Sequence, residues 1–326
     1  MTIEEIFKGF KRLRVLVIGD VMVDAYIWGG VERVSPEAPV PVVRVTKRDY
    51  RLGGAANVAL NVQALGATPI LCSVVGKDEA GDRFKERLAQ RNLSSEGLLE
   101  SEDRPTTIKT RVISGHQHVV RVDEETDKLL NDNEEKQLIK KITDLISDAD
   151  VVIFEDYDKG VITEKVIQQT ISKANERGIP TVVVPKKRNF LNYKEATLFK
   201  PNLKELREGL KIEINPSVKL EVEEAVIKLK ETLGLGSALI TLSEHGVYID
   251  HKNSKNHIAA HLREVSDVSG AGDTVISIAG LCLALGLSAE QIARLSNLGG
   301  GLVCEHVGVV PIDLETLKRE AQKLNF

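Results

Sequence analysis

The sequence of 326 residues lacks a disulfide pattern and lacks any apolar run long enough to cross a membrane. Its three cysteines, Cys72, Cys282 and Cys304, are odd in number and lie far apart in apolar sequence, which indicates buried thiols in a reducing compartment. Residues 1–14 show no signal-peptide pattern. We therefore expect a cytoplasmic protein with no membrane contact.

A strong charge of one sign is also absent. The formal net charge is −4, from 44 basic and 48 acidic residues, so the chain has no global basic field for nucleic acid. The sequence contains no G-x-x-x-x-G-K-[ST] motif, which excludes a P-loop nucleotide site. The apolar fraction of 42% supports a substantial core.

Buried-strand and helix patterns alternate along most of the chain. We predict core strands at 13–19, 70–75, 151–154, 181–184 and 238–242. We predict helices near 58–65, 134–146, 164–177, 218–233, 275–285, 289–305 and 314–323. This rhythm predicts an α/β fold whose sheet is mainly parallel and carries helices on both faces, with ligands beyond the carboxyl ends of its strands.

Three segments differ because their apolar residues alternate with polar ones. They cover 40–46, 106–113 and 118–123, and the last two flank Ser114-Gly115, which is a hairpin signal. We assign them to a small β-sheet lid that projects from the main domain, formed by segments at about 27–50 and 104–123.

The most informative stretch is Asp267–Asp273 (DVSGAGD), which directly precedes an apolar helix pattern. The amides of Gly270, Ala271 and Gly272 would lie free at a helix N-terminus, where they form an anion site. Asp273 would lie in the first turn, where a carboxylate can accept the proton of an attacking hydroxyl in phosphoryl transfer. The alternative is that Asp273 only caps the helix.

A second stretch, 51–57 (RLGGAAN), again places a glycine pair before a helix. The pattern runs on through Gly66 and the strand at 70–75 to Gly76. Gly53 and Gly54 allow a close backbone approach, and Asn57 offers a ligand both a donor and an acceptor.

Together, Gly53–Asn57 (GGAAN) with Gly66 and Gly76, followed by Asp267–Asp273, resemble the two signatures of the PfkB/ribokinase family of sugar kinases. The resemblance covers nearly the whole chain. It implies one ribokinase-like kinase domain over residues 1–326, with ATP and Mg²⁺ as cofactors and K⁺ as a candidate.

Three segments are most similar to the heptose-7-phosphate kinases within that family. They are 33–42 (RVSPEAPVPV), 53–61 (GGAANVALN) and 155–160 (EDYDKG). One position departs from the pattern: Val184 stands where those kinases carry the acid of an Asp-Pro-Lys segment. The departure removes a polar substrate contact that the resemblance would otherwise imply.

The resemblance also implies roles for individual residues. Asp24, five residues after the first strand, would bind the sugar together with Asn57, Gly53 and Gly54; its alternative role is a turn or cap acid. Asn202 and Glu205 match the family's Asn-x-x-Glu element and would hold waters of a hydrated Mg²⁺. A helix-capping arrangement explains their spacing equally well. Asp267 is the candidate ligand for a monovalent cation.

The remaining candidates concern ATP and the substrate phosphate. The segment 240–246 (ITLSEHG) would line the ATP site, and the ATP-binding candidates are Asn202, Glu205, Ser243, Glu244, Gly246, Gly272 and Asn297. Lys186 follows a strand at the ligand edge of the sheet and could bind a substrate phosphate. Lys109 and Arg111, on one face of a lid strand, and Arg33, near the other lid segment, are further candidates. Solvated surface charge is the alternative for Lys186 and its basic neighbours.

The function predicted from these features is the ATP-dependent phosphorylation of a sugar phosphate. By resemblance this is the anomeric hydroxyl of D-glycero-β-D-manno-heptose 7-phosphate, giving the 1,7-bisphosphate in ADP-heptose and lipopolysaccharide-core synthesis. The alternatives are a kinase for another sugar or a nucleoside, and a catalytically silent regulator that binds ATP or sugar. We further expect a homodimer formed through the lid and, because the sequence stops at Phe326, a separate nucleotidyltransferase for the next step.

Overall fold

The computed structural model describes residues 1–115, 117–261 and 265–323. Its strands are β1 Arg14–Gly19, β2 Val21–Val34, β3 Pro41–Gly54, β4 Thr68–Gly76, β5 Leu98–Ser101, β6 Ile108–Ser114, β7 Gln117–Glu124, β8 Val151–Glu155, β9 Thr181–Val184, β10 Leu198–Phe199, β11 Ser237–Thr241, β12 Val247–His251 and β13 Ser254–Ile258. Its α-helices are α1 Ile3–Phe10, α2 Ala55–Ala64, α3 Glu79–Gln90, α4 Asp132–Leu145, α5 Glu164–Glu176, α6 Leu203–Leu210, α7 Lys219–Leu233, α8 Ala271–Ala284, α9 Ala289–Val303 and α10 Leu314–Gln322.

The described strands form two sheets. Nine of them make a central sheet in the order β13-β12-β11-β10-β9-β8-β1-β4-β5. The pairs from β11 to β5 are parallel, whereas β12 and β13 add an antiparallel edge. This confirms the predicted α/β class with a mainly parallel sheet.

The core strands have apolar residues on both faces because helices cover both sides of the sheet. In β1, Val15 and Val17 join one apolar cluster with residues of α2, α8 and α9. Leu16 and Ile18 join a second cluster with residues of α4, α5 and α7. Val184 is a buried member of the first cluster and presents no polar group to a ligand.

The second sheet is the predicted lid, with the order β3-β2-β6-β7. The β6–β7 hairpin pairs Ile113 with His118, as expected from the turn signal. The sequence prediction missed β2, a strand of 14 residues that pairs with both β3 and β6. Its first half is buried and its second half exposed, so no single alternating pattern marks it. The lid strands accordingly begin earlier, at Val21, and β3 continues to Gly54.

All seven predicted helices are present with ends shifted by a few residues, but α1 and α3 were missed. Helix α3 buries only Gly81, Phe84 and Leu88 in an otherwise charged segment, which leaves a weak helical period. Helix α1 is short, although Thr2 and Glu5 form a capping box at its start.

Helices α8 and α9 pack closely, and two glycines of α9 make this possible. A Cβ at Gly299 would collide with Ile278 Cδ1, and one at Gly300 would lie 2.7 Å from Val275 Cγ2. Helix packing therefore explains why small residues stand at these two positions. In the described ranges, no helix is long and apolar enough to span a membrane.

Candidate active site

Asp273 lies in the first turn of α8, as predicted, and is buried. The helix begins after Gly270, whose φ of 82° is strained for other residues. The expectation of three free amides needs correction, because the Ala271 amide donates to the carbonyl of Val268 at 3.3 Å. The amides of Gly270 and Gly272 have no acceptor within the described part of the chain. Of the three predicted amides, two thus remain free at the helix start.

The Asp273 carboxylate has one neutral donor on each oxygen. Asn57 Nδ2 donates to Oδ2 at 2.7 Å, and the Tyr157 hydroxyl donates to Oδ1 at 3.1 Å. Burial raises the pKa of Asp273 to about 6, although both hydrogen bonds and nearby Lys200 act to lower it. Such a group is ionised at neutral pH and yet basic enough to accept a proton.

Asn57 reaches Asp273 because β3 passes directly into α2 at a glycine pair. A Cβ at Gly53 would collide with the Asp24 carboxylate, and one at Gly54 would collide with the carbonyl of Asp20. Both predicted substrate-binding glycines therefore already accommodate groups of the protein itself. Contact between these glycines and a ligand stays a prediction. The structure explains why neither position has room for a side chain.

Asp24 and Arg111, predicted separately to bind sugar and phosphate, form an ion pair at 2.5 Å. The Arg111 guanidinium also lies 5.3 Å from the centroid of the Tyr26 ring. Burial raises the pKa of Asp24 despite the opposing charge of Arg111. Lys109 lies on the same lid strand and pairs with Asp123 at 3.2 Å and with Glu125 at 2.7 Å. Asp24, the candidate for binding the sugar, and Arg111, a candidate for binding the phosphate, are therefore in direct contact.

Arg33 does not meet them in the described chain. It lies near the exposed end of β2, where its neighbour on β3 is Val42. Nine extended residues after Asp24 span roughly 30 Å. Any contact of Arg33 with the site of its own chain would require a rearrangement of the lid.

Asn202 and Glu205 form the capping box that the sequence offered as the alternative to metal binding. Asn202 Oδ1 accepts the Glu205 amide at 2.8 Å, and Glu205 Oε2 accepts the Asn202 amide at 2.9 Å. Lys186 pairs with the other oxygen, Glu205 Oε1. The capping prediction is confirmed. Lys186 lies beside α6, the helix whose first turn carries the residues predicted to hold Mg²⁺ through water.

The same geometry limits how Mg²⁺ could bind. No group of three or more histidine, cysteine, aspartate or glutamate residues in the described ranges could hold a metal ion. Glu205 supplies one carboxylate at the edge of the site, and Asn202 supplies an amide. This donor set fits a hydrated ion held mainly by phosphates, with water between the ion and these side chains.

Three of the predicted nucleotide residues follow the end of β11, and a fourth, Asn297, lies on α9. Ser243 and Glu244 form a short 3₁₀ turn, and Gly246 follows with a φ of 82°, where a Cβ would collide with the carbonyl of Ile258. Asn297 Nδ2 donates to the carbonyl of Ala259 at 2.8 Å. These contacts order the loop, and the binding of ATP there stays a prediction.

Asp267 braces the segment ahead of α8. Its Oδ1 accepts the amide and hydroxyl of Ser269 at 2.9 and 2.8 Å, and its Oδ2 accepts the amide of Gly308 at 2.9 Å. These bonds lower the pKa of Asp267 although burial opposes them. The role as a monovalent-cation ligand stays a prediction, since protein donors already use both oxygens.

Sequence analysis missed three buried charges at this edge. Asp20, directly after β1, accepts the amides of Tyr157, Lys159 and Val161 at 2.8, 3.1 and 3.1 Å. Glu155, the last residue of β8, has an oxygen without a partner in the described chain, and burial with nearby Asp273 raises its pKa. The sequence signal that could have identified these two acids was their position, because Asp20 directly follows a core strand and Glu155 ends one.

Lys200 is the third of these charges and ends up beside the helix start. It follows β10 and is only 3% exposed. Its Nζ lies 3.8 Å from the position that a Cβ at Gly272 would take. Burial lowers its pKa, while Glu205 and Glu155 oppose that effect. A cation therefore lies beside Gly272 and acts on Asp273 through its charge.

Residues 12–317 match the family model described as pfkB family carbohydrate kinase. The chain belongs to the pfkB family. Among curated relatives, the bifunctional protein HldE of Campylobacter curvus is 40% identical over 97% of this chain and 67% of its own length. That of Campylobacter concisus is 42% identical over 91% and 62%. The chain thus spans about two thirds of the length of these relatives.

Solved structures of two other kinases share the fold at low sequence identity. Escherichia coli phosphofructokinase-2 in complex with substrates and products aligns with a TM-score of 0.80 at 19% identity, over 96% of this chain and 99% of its own. Arabidopsis thaliana ribokinase complexed with ribose and ATP aligns with a TM-score of 0.72 at 16% identity, over 94% and 99%. The ribokinase-like fold prediction is thereby confirmed.

Proposed function

We propose that this pfkB-family chain transfers a phosphoryl group from ATP to a sugar phosphate, with D-glycero-β-D-manno-heptose 7-phosphate as the leading acceptor. The observation that carries the proposal is the buried Asp273 carboxylate, held by Asn57 and Tyr157 beside two free amides of α8. The similarity to HldE proteins and the segments shared with heptose-7-phosphate kinases support this choice of acceptor.

Asp273 acts as the general base in this proposal. The anomeric oxygen attacks the terminal phosphorus of ATP, the bond from that phosphorus to the ADP oxygen breaks, and the hydroxyl proton passes to Asp273. The pKa of about 6 leaves the base ionised at neutral pH. Asn57 keeps the carboxylate oriented toward the incoming hydroxyl.

Charge on the transferring group is stabilised by groups already in place. The amides of Gly270 and Gly272 and the Lys200 ammonium would act there. Bound Mg²⁺ would neutralise phosphate charge, with Asn202 and Glu205 holding its waters. The lid would exclude bulk water, which could otherwise compete as the acceptor.

Asp24 would accept hydrogen bonds from sugar hydroxyls, and the lid cations would recognise the substrate phosphate. Arg111 is at present matched by Asp24, and Lys109 by Asp123. A phosphate would therefore compete with these carboxylates, and phosphate binding to Arg111 would release Asp24 for the sugar. Lys186 remains a further candidate through its basic position beside Glu205.

The direct test is a comparison of acceptors with ATP: the heptose 7-phosphate, the unphosphorylated heptose, fructose 6-phosphate, ribose and adenosine. We expect the phosphorylated heptose to exceed the unphosphorylated one by at least roughly tenfold in kcat/KM, the effect of losing one charge-assisted contact. Phosphorus NMR should place the new phosphate at the anomeric carbon. Repeating the assay in potassium and in tetramethylammonium salts tests the cation assignment.

Other results of this acceptor comparison would support one of the alternative functions. Best activity with fructose 6-phosphate, ribose or adenosine would make the chain a different sugar or nucleoside kinase. Binding of ATP without turnover on any acceptor would make it a silent regulator and would remove the role given to Asp273.

The base assignment predicts the effect of Asp273→Asn. We expect kcat to fall by roughly 10²–10⁴-fold, because the variant keeps the shape of the side chain and loses its basicity. ATP affinity should change little. Asp144→Asn, at an exposed position on α4, is the matched control and should retain activity. A folded Asp273→Asn enzyme with more than about a tenth of the parental kcat would show that another group takes the proton.

We also propose that the chain dimerises through its lid. Exposed valines concentrate there, with Val34, Val120 and Val122 exposed by 63%, 49% and 48%. A small sheet with this much apolar surface gains stability when a second copy covers it. Sedimentation should therefore give twice the chain mass of 35.8 kDa at micromolar concentration.

Single substitutions can test whether the lid, rather than another surface, forms the dimer contact. Val122→Lys should shift the dimer toward monomer because it places a charge in the apolar contact, whereas Leu220→Lys on α7, 62% exposed, should not. A parental protein that sediments only as a monomer would refute the proposed dimer.

A further inference from the structure

Tyr157 connects two parts of the site that the sequence treats separately. It lies two residues after β8, and its hydroxyl donates to Asp273 Oδ1 at 3.1 Å. Its ring lies beneath the Lys186 ammonium, 5.6 Å from Nζ to the centroid, and Lys186 pairs with Glu205 of α6. Tyr157 thus contacts both Asp273, the proposed base, and Lys186, the cation beside α6.

The loop that carries Tyr157 is fixed by buried carboxylates. Asp20 accepts the amides of Tyr157, Lys159 and Val161. Asp156 accepts bonds from Asn189 Nδ2 at 3.0 Å and from the Tyr193 hydroxyl at 2.9 Å. Because the backbone on both sides of the ring is held, the phenol has little freedom to leave Asp273. This arrangement suits a residue whose task is orientation.

The charged and polar groups that face Asp273 come from several elements. Asn57 on α2 and Tyr157 after β8 donate hydrogen bonds to it. Asp24, Lys200 and Glu155 act on it through charge. Asn57 and Tyr157 are the two donors that the structure records on its oxygens, and one bond on each oxygen leaves a lone pair for a substrate hydroxyl.

We propose that Tyr157 is a positioning residue whose hydroxyl fixes the plane of the Asp273 carboxylate and favours its ionised form. The inference rests on the proposed role of Asp273 as the base. The Lys186 ammonium lies over the ring and helps to hold the phenol through a cation–π contact. Burial together with the nearby Asp273 raises the pKa of Tyr157, so the phenol remains a donor at neutral pH.

The test is Tyr157→Phe, which removes the hydroxyl and keeps the ring. Loss of a donor to the carboxylate should raise the pKa of Asp273, so the acid limb of the pH profile of kcat should move upward by roughly one pH unit. We expect kcat at neutral pH to fall roughly tenfold, with KM for both substrates changed much less. A purely structural role would not move the acid limb.

Tyr193→Phe is the matched control. It removes a hydroxyl that bonds Asp156 in the same buried network and does not contact Asp273, while Asn189 still bonds the same Asp156 oxygen and keeps the loop in place. The acid limb should stay in place for this variant. An unchanged limb in Tyr157→Phe, whether or not kcat falls, would overturn the proposal, and so would equal shifts in the two variants.

A second substitution protects the test against a folding defect. Site-specific 3-fluorotyrosine at position 157 keeps the side chain in place and makes its hydroxyl a stronger donor. The acid limb should then move to lower pH, opposite to the phenylalanine variant, and a limb that does not move would contradict the proposal. Failure of the base assignment itself is distinguishable, because it appears as activity retained by Asp273→Asn.

Discussion

The desolvation of a carboxylate at the start of α8 is the constraint on which the site depends. Asp273 is only 4% exposed, and a buried charge is costly unless polar groups replace the lost water. The chain supplies Asn57 from α2, Tyr157 from the loop after β8 and Lys200 from the end of β10. Three distant segments therefore converge on one side chain, and the parallel sheet brings them to the same edge.

The same constraint recurs in the neighbouring acids, and each is met differently. Asp20 accepts hydrogen bonds from backbone amides, and Asp24 forms an ion pair with Arg111. Asp156 accepts hydrogen bonds from the side chains of Asn189 and Tyr193. The bonded and paired groups keep these loops in order without a ligand. Charges that are matched inside the protein can be exchanged for matching groups on a substrate, which links the electrostatics of the site to its proposed chemistry.

The sequence predicted the elements whose patterns are local. Core strands such as Val151–Glu155 are buried on both faces, and Asp267–Asp273 combines turn and helix signals within seven residues. Strand β2 was missed because its burial changes halfway along. The pairing of Lys186 with Glu205 and the contact of Tyr157 with Asp273 could not be predicted. Each joins a residue that follows a strand to a residue in the first turn of a helix, and only the folded chain defines the distance between them.

The most direct measurement is the pKa of Asp273 itself, by NMR titration of protein labelled with ¹³C at aspartate carboxyls and assigned with Asp273→Asn. The account predicts a value of about 6, above the usual 3.8, because burial outweighs the two hydrogen bonds. A carboxyl with this pKa is protonated in mild acid and becomes a competent base toward neutral pH. A pKa at or below the usual value would contradict the account, since Asp273 would then be too weak a base for its proposed task.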